Sequence, residues 1–331
     1  MTKFSIRKID RNSEVDYKRW KHLFDCADGV TVFHDPDFLN YHGDKFNEHH
    51  LGIFKGNELF GFIPLAIVKE NEITLAKSPY GASYGGFIFK SILNYTDSKE
   101  IVKMFVDYLE AMQVDQLIIT PSLSMYYKNA YSDTFIFALM EQGAKIIASD
   151  ITSVVYLNSK DIEHEVFISK VRNLERKAKK ARKANIKIKY KSNVNDFWLL
   201  MDKTFSKHAT NPTHKKNEYI TLMEKVKNRV YCNLAYIDNA PVAGIGVFEI
   251  NNENIMSFYL CHDHKYQKTQ AMSCLIYETI LKAKECNFKY FDLGTSSVNM
   301  VGRENIFKFK ESLGAVGKFR LTYLKKFDDN I

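Results

Sequence analysis

A dense run of cationic side chains between Lys170 and Lys191 is the part of the sequence best suited to bind a ligand. It holds eleven Lys and Arg residues and one acidic residue, Glu175. The planar donor fork of arginine matches phosphate oxygens, and lysine adds point charges. The rest of the chain carries 36 basic and 38 acidic residues, so the net charge of +8 comes from this run. Because a nucleic-acid footprint needs positive charge over a broad face, the pattern favours a compact anion.

Other residues with chemical potential lie in the last third of the chain. Asp292 ends an apolar run, where a carboxylate can serve the chemistry or cap a turn. His262-Asp263-His264 ends another run, but two histidines without a third spaced ligand are a weak metal signal. Cys261 lacks an activating partner, because His262 points to the opposite face of the strand. We therefore predict no metal and no covalent intermediate on Cys261.

The elements that position these residues follow from the hydrophobic periodicity. Three apolar, β-rich runs separated by polar turns predict a meander, followed by a long helix, a strand, a second helix and a final strand. The predicted bounds are Val230–Ile237, Val242–Ile250, Ile255–Cys261, Thr269–Cys286 and Lys289–Leu293, then a helix carrying Phe307–Lys310 and a strand around Lys318–Lys325.

The cationic run has its own helical signal over Glu165–Ala184. Apolar residues spaced by four and three form one stripe, and Arg and Lys residues form a ridge beside it. The stripe consists of Phe167, Val171, Leu174, Ala178 and Ala181, and the ridge of Arg172, Arg176, Lys179 and Lys183. Because like charges four residues apart destabilise a helix, the ridge favours a functional interpretation over a solvated surface.

The first half of the chain repeats the element order of the second. Strands are predicted at residues 50–55, 58–68 and 72–76, followed by a helix at Ser98–Met112, a strand at Gln116–Thr120 and closing strands within Ala144–Leu157. The repeat predicts two tandem α/β modules, residues 1–160 and 161–331, with mixed, mostly antiparallel sheets and a ligand cleft between them.

Composition limits the class of protein. The chain of 331 residues is 45% hydrophobic and 14% aromatic, which indicates a globular protein with room for two cores. No apolar run approaches the roughly 20 residues of a membrane span, and the start lacks a signal peptide. Five scattered cysteines without a C-x-x-C pair favour free thiols in a reducing cytoplasm. The sequence does not indicate an oligomeric state.

Four short segments resemble FemABX-type peptidyltransferases and related GNAT-type acyltransferases. The cationic helix is similar to their interdomain helix, and two C-terminal segments are similar to their "YDFG" and "FKxxFG" segments. A glycine-rich turn in the first half is similar to theirs as well. The segments are Arg172–Ile186, Phe291–Gly294, Phe309–Ala315 and Ser78–Gly86. Members are built from two GNAT-like modules, which agrees with the repeat.

The resemblance implies transfer of an acyl group onto an amine. It implies that Arg172 and Arg176 bind the acceptor's diphosphate, and that Lys310 offsets negative charge near the reacting carbonyl. Further catalytic candidates are Asp292 and His262, the latter where the acyl donor would pass. Tyr80, Tyr84 and Tyr259 are candidates for substrate binding, with packing as the alternative for each.

Two features depart from the family pattern. No long heptad run is present, so the helical hairpin of some tRNA-using members is absent. The pyrophosphate-binding turn of GNAT proteins, Q/R-x-x-G-x-G/A, has no glycine in the equivalent Gln267-Lys268-Thr269-Gln270. A helix N-terminus still offers N–H groups, so these four residues remain the predicted contacts for acyl-CoA.

The sequence thus predicts a cytoplasmic N-acyltransferase of cell-envelope biogenesis. The acyl group would pass from acyl-CoA, by direct attack, to the amino group of a nucleotide-linked sugar. One alternative is an aminoacyl transferase that uses charged tRNA and a peptidoglycan precursor. Another is a non-catalytic protein whose basic helix binds nucleic acid or an anionic membrane.

Overall fold

The computed structural model describes residues 3–157, 164–207 and 211–327, and their contacts divide the chain into two compact units. Unit 1 comprises the chain up to Ser149 together with the segment from Phe319 onward, and unit 2 runs from Asp150 to Lys318. The predicted module boundary at residue 160 and the cleft between modules stay predictions. The observed units differ from the two predicted modules chiefly in the last strand, which belongs to unit 1.

Unit 1 contains two sheets and four helices among its described residues. Its elements are β1 (Ser5–Lys8), α1 (Glu14–Cys26), α2 (Pro36–Asn40), β2 (Leu51–Lys55), β3 (Glu58–Ile63), β4 (Ala66–Glu70), β5 (Ile73–Ser78), β6 (Ile88–Phe89), α3 (Tyr95–Ala111), β7 (Gln116–Ile119) and α4 (Thr134–Glu141). The small sheet has the order β1-β2-β3-β6 and is antiparallel. In the second sheet β5 lies between β4 and β7 and is parallel to β7.

The single strand predicted over residues 58–68 is wrong, because the chain forms two strands there that belong to different sheets. Pro64 lies between β3 and β4. Proline has no N–H group to donate to a strand ladder, so pairing stops at this residue and the chain changes sheets.

Unit 2 contains one large sheet with helices on both faces. Its elements are α5 (His164–Arg182), β9 (Lys187–Lys189), α6 (Val194–Lys207), α7 (Lys216–Lys225), β10 (Val230–Ile237), β11 (Ala240–Glu249), β12 (Asn254–His262), α8 (Ala271–Glu285), β13 (Tyr290–Thr295), β14 (Ser297–Val298), β15 (Val301–Gly302) and α9 (Glu304–Glu311). Two long strands cross the division between the units, β8 (Lys145–Tyr156) and β16 (Val316–Lys326).

The predicted meander is confirmed as β10-β11-β12, and β12 continues into a parallel pair with β13. The packing of α5 and α8 covers one face of this sheet, with the α5 residues Leu174, Ala178 and Ala181 fully buried as predicted. Phe167 and Val171 lie outside the residues whose side chains are described. Helices α6 and α7, which the sequence did not predict, cover the other face, where Gly244 and Gly246 leave room for Phe197 and Tyr219.

The closing strands form where they were predicted, as β8 and β16, and their partners were not predicted. The last strand of the chain, β16, is antiparallel to β7 of unit 1, with Tyr323 opposite Ile119. The C-terminal half of β8 pairs with β13 of unit 2, with Tyr156 opposite Tyr290. Strand β8 has twelve residues and β16 has eleven. The first half of the chain therefore supplies β8 to the sheet of unit 2, and the second half supplies β16 to the sheet of unit 1.

Candidate functional site

A cavity of about 700 Å³ lies in unit 2 beside the start of α8. Most of its exposed surface is apolar, and polar and charged side chains complete the lining, which is the usual character of a small-molecule site. The lining residues come from α5, α6, β11, β12, α8, α9 and the 3₁₀ turn His264–Thr269, and include Lys177, Thr204, Lys207, Val242, Leu260, His262, Tyr266, Gln267, Gln270, Met272, Ser273, Ile306 and Phe309. We refer to it as the unit 2 cavity.

The cavity forms where two parallel strands part. Strands β12 and β13 pair only from Asn254 opposite Tyr290 to Met256 opposite Asp292, although β12 continues to His262. Phe258 is an extra residue against β11, since Ser257 and Tyr259 face the consecutive residues Val247 and Gly246. A bulge of this kind bends a strand and ends its pairing. Beyond it, Leu260 and His262 line the cavity.

The start of α8 makes one end of the cavity suitable for an anion. The first N–H groups of a helix have no intrahelical acceptor and carry partial positive charge. Gln270, in a left-handed conformation with φ +61°, turns the chain into the helix, and Met272 and Ser273 of the first turn line the cavity. Lys177 and Lys207 line the same cavity and add two cations, while the one carboxylate of the lining, Asp263, is paired with Lys203 at 2.6 Å. Together these groups match a phosphate or diphosphate.

The four residues predicted to contact CoA are only partly at the cavity. Gln267 and Gln270 line it, whereas Lys268 and Thr269 belong to the adjoining 3₁₀ turn and do not. The Thr269 hydroxyl instead donates a hydrogen bond to the Tyr266 carbonyl at 2.6 Å. The predicted role of all four in donor binding stays a prediction.

Lys310 is buried behind the wall of the cavity. Its Nζ donates hydrogen bonds to the carbonyls of Gly294 at 2.7 Å and Thr295 at 2.8 Å. Burial lowers its pKa to about 8, and the nearby charge of Asp292 partly opposes that shift. Its neighbours Ile306 and Phe309 on α9 line the cavity. A buried lysine with so low a pKa is the kind of group found at active sites.

Asp292 acts as a turn cap in this structure. Its Oδ1 accepts hydrogen bonds from the Thr152 hydroxyl at 2.5 Å and from the Gly294 N–H at 2.7 Å, and its side chain is fully buried. Gly294 follows with φ +79°, a conformation that glycine adopts at no steric cost. The structure therefore brings Asp292 and Lys310 to the same turn, while His262 lies separately at the cavity.

A set of buried hydroxyl groups surrounds this turn and was not predicted. Ser153 and Ser296 share a hydrogen bond of 2.7 Å, and Ser257 has a buried hydroxyl with no hydrogen-bond partner in the described part of the chain. An unsatisfied buried hydroxyl is unusual and costs free energy. Serine is common in turns, so the sequence around these positions carries no distinct signal.

The predicted phosphate ligands Arg172 and Arg176 are exposed on α5 and do not line the unit 2 cavity. Arg176 donates a hydrogen bond to the Asn173 side chain at 2.9 Å. Ala178 and Ala181 fix the face of α5 that packs on α8, and among the α5 side chains that the structure describes Lys177 is the cation that borders the cavity. The sequence did not single out Lys177.

The three tyrosines predicted as substrate contacts are buried. The Tyr259 hydroxyl meets the His214 ring at 2.7 Å, on the face of β12 opposite His262, and burial raises its pKa to about 12. The Tyr80 hydroxyl donates to Glu48 at 3.1 Å, and Tyr84 packs edge-to-face on Tyr126. None of the three lines the unit 2 cavity. Their predicted role in substrate binding stays a prediction.

Cys261 is unsuited to hold an acyl group. Its thiol is fully buried on the same face of β12 as Tyr259, and burial raises its pKa well above the ordinary value. The thiolate required of a nucleophile is therefore suppressed. All five cysteines are free. The described residues contain no group of three potential metal ligands, and the absence of a metal stays a prediction.

The corresponding crevice of unit 1 is filled by backbone, and the neighbouring cavity, lined by Gly86, Ile119 and Pro121, holds only about 70 Å³. Strands β5 and β7 pair to their ends, with Ser78 opposite Ile119. The chain then returns between them: Gly85 donates to the Thr120 carbonyl at 2.9 Å, and Gly86 to the Ser78 hydroxyl at 2.8 Å. A Cβ at Gly85 would lie 2.5 Å from that hydroxyl oxygen, so this glycine permits close packing of backbone rather than of a ligand.

Comparison with known proteins defines the fold. No protein-family model matches the sequence, and no curated protein sequence matches it. The structure is similar to FemX, with a TM-score of 0.70 at 9% identity over 98% of each chain. It is also similar to a tandem GNAT protein from the clavulanic acid biosynthesis pathway, with a TM-score of 0.55 at 10% identity over 98% of each chain.

A third similar structure is the C-terminal domain of a putative lysylphosphatidylglycerol synthetase from Agrobacterium fabrum. Its TM-score is 0.59 at 10% identity, over 95% of this chain and 92% of that one. The chain therefore has the FemX-like tandem GNAT fold, which confirms the fold class and the resemblance seen in the sequence at the level of structure. None of the helices formed by the described residues has the length and hydrophobicity that a bilayer crossing requires.

Proposed function

We propose that the protein is an N-acyltransferase that binds its acyl donor in the unit 2 cavity. The observation that carries the proposal is the position of this cavity, where β12 leaves β13 and the start of α8 offers N–H groups. The backbone that fills the crevice of unit 1 supports unit 2 as the donor module. The similarity to FemX and to a tandem GNAT protein supports the same class of activity.

The donor that fits best is acyl-CoA. Its diphosphate would lie at the start of α8, near Lys177 and Lys207, because helix N-termini and cations together favour phosphate. Apolar groups such as Val242, Leu260 and Phe309 would cover the pantetheine arm and the acyl chain. A cavity of about 700 Å³ is of the size that holds an elongated small molecule.

The acceptor in this proposal is a nucleotide-linked amino sugar of the cell envelope. Its diphosphate would meet Arg172 and Arg176, whose exposed guanidinium groups offer the bidentate geometry that phosphate prefers. A charged tRNA is the alternative donor, supported by the FemX similarity and by Arg172, Lys180 and Lys183, which make no ion pair with a described residue.

The reaction would proceed by direct attack. The neutral acceptor amine forms the new C–N bond at the acyl carbonyl, and negative charge develops on the carbonyl oxygen. The C–S bond then breaks to release CoA as a thiolate, which takes up the proton that the amine has lost. Lys310 uses two of its three N–H donors on Gly294 and Thr295, and in this proposal the third would serve that oxygen, although Lys310 itself does not line the cavity in this structure. Asp292 favours the charged form of Lys310, and His262 at the cavity takes the proton from the attacking amine.

A product assay tests the proposed function. We expect that incubation with acetyl-CoA and a UDP- or dTDP-linked amino sugar adds one acyl group to the sugar and releases one equivalent of free thiol, measured by mass spectrometry and thiol titration. Replacing Arg172 and Arg176 together with alanine should raise the acceptor KM by about tenfold and leave the donor KM unchanged, because only phosphate contacts are lost.

Two outcomes of this assay would contradict the proposal in different ways. Transfer from charged tRNA, with no turnover of any acyl-CoA, would mean that the donor is charged tRNA and not acyl-CoA. An unchanged acceptor KM in the double variant would remove Arg172 and Arg176 from the acceptor site. Lys69→Ala, an exposed cation of unit 1 paired with Glu72, is the matched control and should behave as the wild type.

A further inference from the structure

Unit 2 carries a short hairpin whose tip exposes large apolar side chains. In this hairpin β14 and β15 pair Val298 with Val301 across the turn Asn299-Met300. Val298, Met300 and Val301 are 43%, 62% and 69% exposed, and the last two are the most exposed large apolar residues in the described part of unit 2. Exposed apolar side chains grouped in this way mark an interaction site more often than scattered ones do.

The tip is held in a conformation that apolar residues avoid. Asn299 and Met300 both have positive φ, 51° and 61°, which glycine or asparagine adopts readily and methionine does not. Asp150, 8% exposed, fixes the turn by accepting hydrogen bonds from the Ser297 hydroxyl at 2.6 Å, the Met300 N–H at 3.0 Å and the Asn299 N–H at 3.2 Å. The hydrogen bonds to Asp150 therefore stabilise a turn with an unfavourable backbone conformation, in which Met300 is exposed.

The same unit carries the positive charge of the chain. Residues 150–318 contain 28 Lys and Arg and 18 Asp and Glu, whereas the remainder contains 19 and 21. Arg303 directly follows the hairpin, and like Lys180 and Lys183 it makes no ion pair with a described residue. Apolar groups that enter a bilayer interface and cations that attract its headgroups together produce peripheral binding to anionic lipid.

We propose that unit 2 binds peripherally to the surface of an anionic phospholipid bilayer, with Val298, Met300 and Val301 inserted at the boundary between headgroups and acyl chains. Helix α9 begins two residues after β15, and its Ile306 and Phe309 line the unit 2 cavity. Docking of the hairpin would therefore hold the wall of the cavity close to the lipid surface. This inference does not depend on the proposed function.

Vesicle sedimentation tests the proposal. The wild-type protein should sediment with vesicles of phosphatidylcholine and phosphatidylglycerol, less so at high salt, and should not sediment with phosphatidylcholine alone. Met300→Asn combined with Val301→Thr should weaken binding by about tenfold or more, because the inserted apolar area is lost. Asparagine tolerates the left-handed turn and keeps the N–H that Asp150 binds, and threonine keeps β-branching, so the fold is preserved.

The control is Ile92→Asn in unit 1, where a similarly prominent apolar side chain, 57% exposed, lies outside the hairpin. It should bind vesicles as the wild type does. A Val301→Trp variant gives a direct readout, because the native Trp20 and Trp198 are 0% and 7% exposed. Insertion should shift the emission of the new tryptophan to shorter wavelength with anionic vesicles.

Three results would overturn the proposal. One is absence of wild-type binding to anionic vesicles at low salt, and another is an unchanged emission of the Val301→Trp variant in their presence. The third is a hairpin double variant that binds as the wild type does while Lys180→Gln with Lys183→Gln abolishes binding. That pattern would mean that electrostatic attraction alone causes the binding to vesicles, as it would for binding to a soluble polyanion.

Discussion

Replacing Lys310 with methionine should lower kcat by about two to three orders of magnitude and change the donor KM by less than about twofold. The loss follows from removing the one N–H donor that Gly294 and Thr295 leave available for the developing oxyanion. Initial-rate kinetics with the product assay measure it. Lys308→Met is the matched control, since Lys308 lies on the same helix but is exposed and paired with Glu304.

The pH dependence of kcat provides a second test of the role of Lys310. Because the pKa of Lys310 is lowered to about 8, kcat of the wild type should fall as pH rises through about 8. Lys310→Arg keeps its charge, so this decline should disappear while part of the activity remains. Full activity in the methionine variant, or an alkaline decline that persists in the arginine variant, would contradict the role of Lys310.

The free energy of unfolding should rise with pH over the range in which kcat falls, and Lys310 is the cause of both changes. The unfolded state binds the proton more tightly between pH 8 and the ordinary lysine pKa of 10.5, so the free energy of unfolding rises with pH in that window. Relative to Lys310→Met, the wild type should gain up to about 3 kcal/mol across it. Urea unfolding at neutral and alkaline pH measures the difference.

Replacing Met272 with glutamate should weaken binding of acyl-CoA by about a hundredfold. The new carboxylate would lie in the first turn of α8, beside the position proposed for the diphosphate. Two like charges about 5 Å apart repel by roughly 3 kcal/mol at an effective dielectric constant of about 20. An acid in the first turn of a helix stabilises it, so the fold should not suffer.

Met272→Gln is the control for size and shape, and it should bind acyl-CoA within about threefold of the wild type. Isothermal titration of acyl-CoA into the three proteins measures the effect, and thermal unfolding verifies the fold. Equal affinities of the glutamate and glutamine variants would mean that the diphosphate does not bind at the start of α8.

Local signals allowed the core of unit 2 to be predicted from the sequence. Strand β10 has the predicted bounds, and β11, β12 and α8 begin and end within two residues of theirs, because β-branched runs and helical periodicity are properties of short windows. The pairing of β16 with β7 was not predictable in this way. It joins Tyr323 to Ile119, and no local pattern encodes a contact across such a sequence separation.

The site was predictable only in part. Asp292 and His262 were predicted from their positions at the ends of apolar runs, whereas Lys310 was predicted only from the family resemblance. Lys177, which borders the cavity, is one of several cations on α5, and charge alone does not show which side of a helix borders a cavity. Apolar lining residues such as Val242 and Phe309 have the same sequence pattern as core residues.

Amide hydrogen exchange with and without acyl-CoA tests most directly whether the unit 2 cavity holds the donor. We expect slower exchange over residues 264–273, where the 3₁₀ turn and the start of α8 would meet the donor, and at the end of β12. Exchange over residues 79–86 of unit 1 should not change, because backbone already closes that crevice. If acyl-CoA protects residues 79–86 and leaves residues 264–273 unprotected, the donor site lies in unit 1 and the central claim is contradicted.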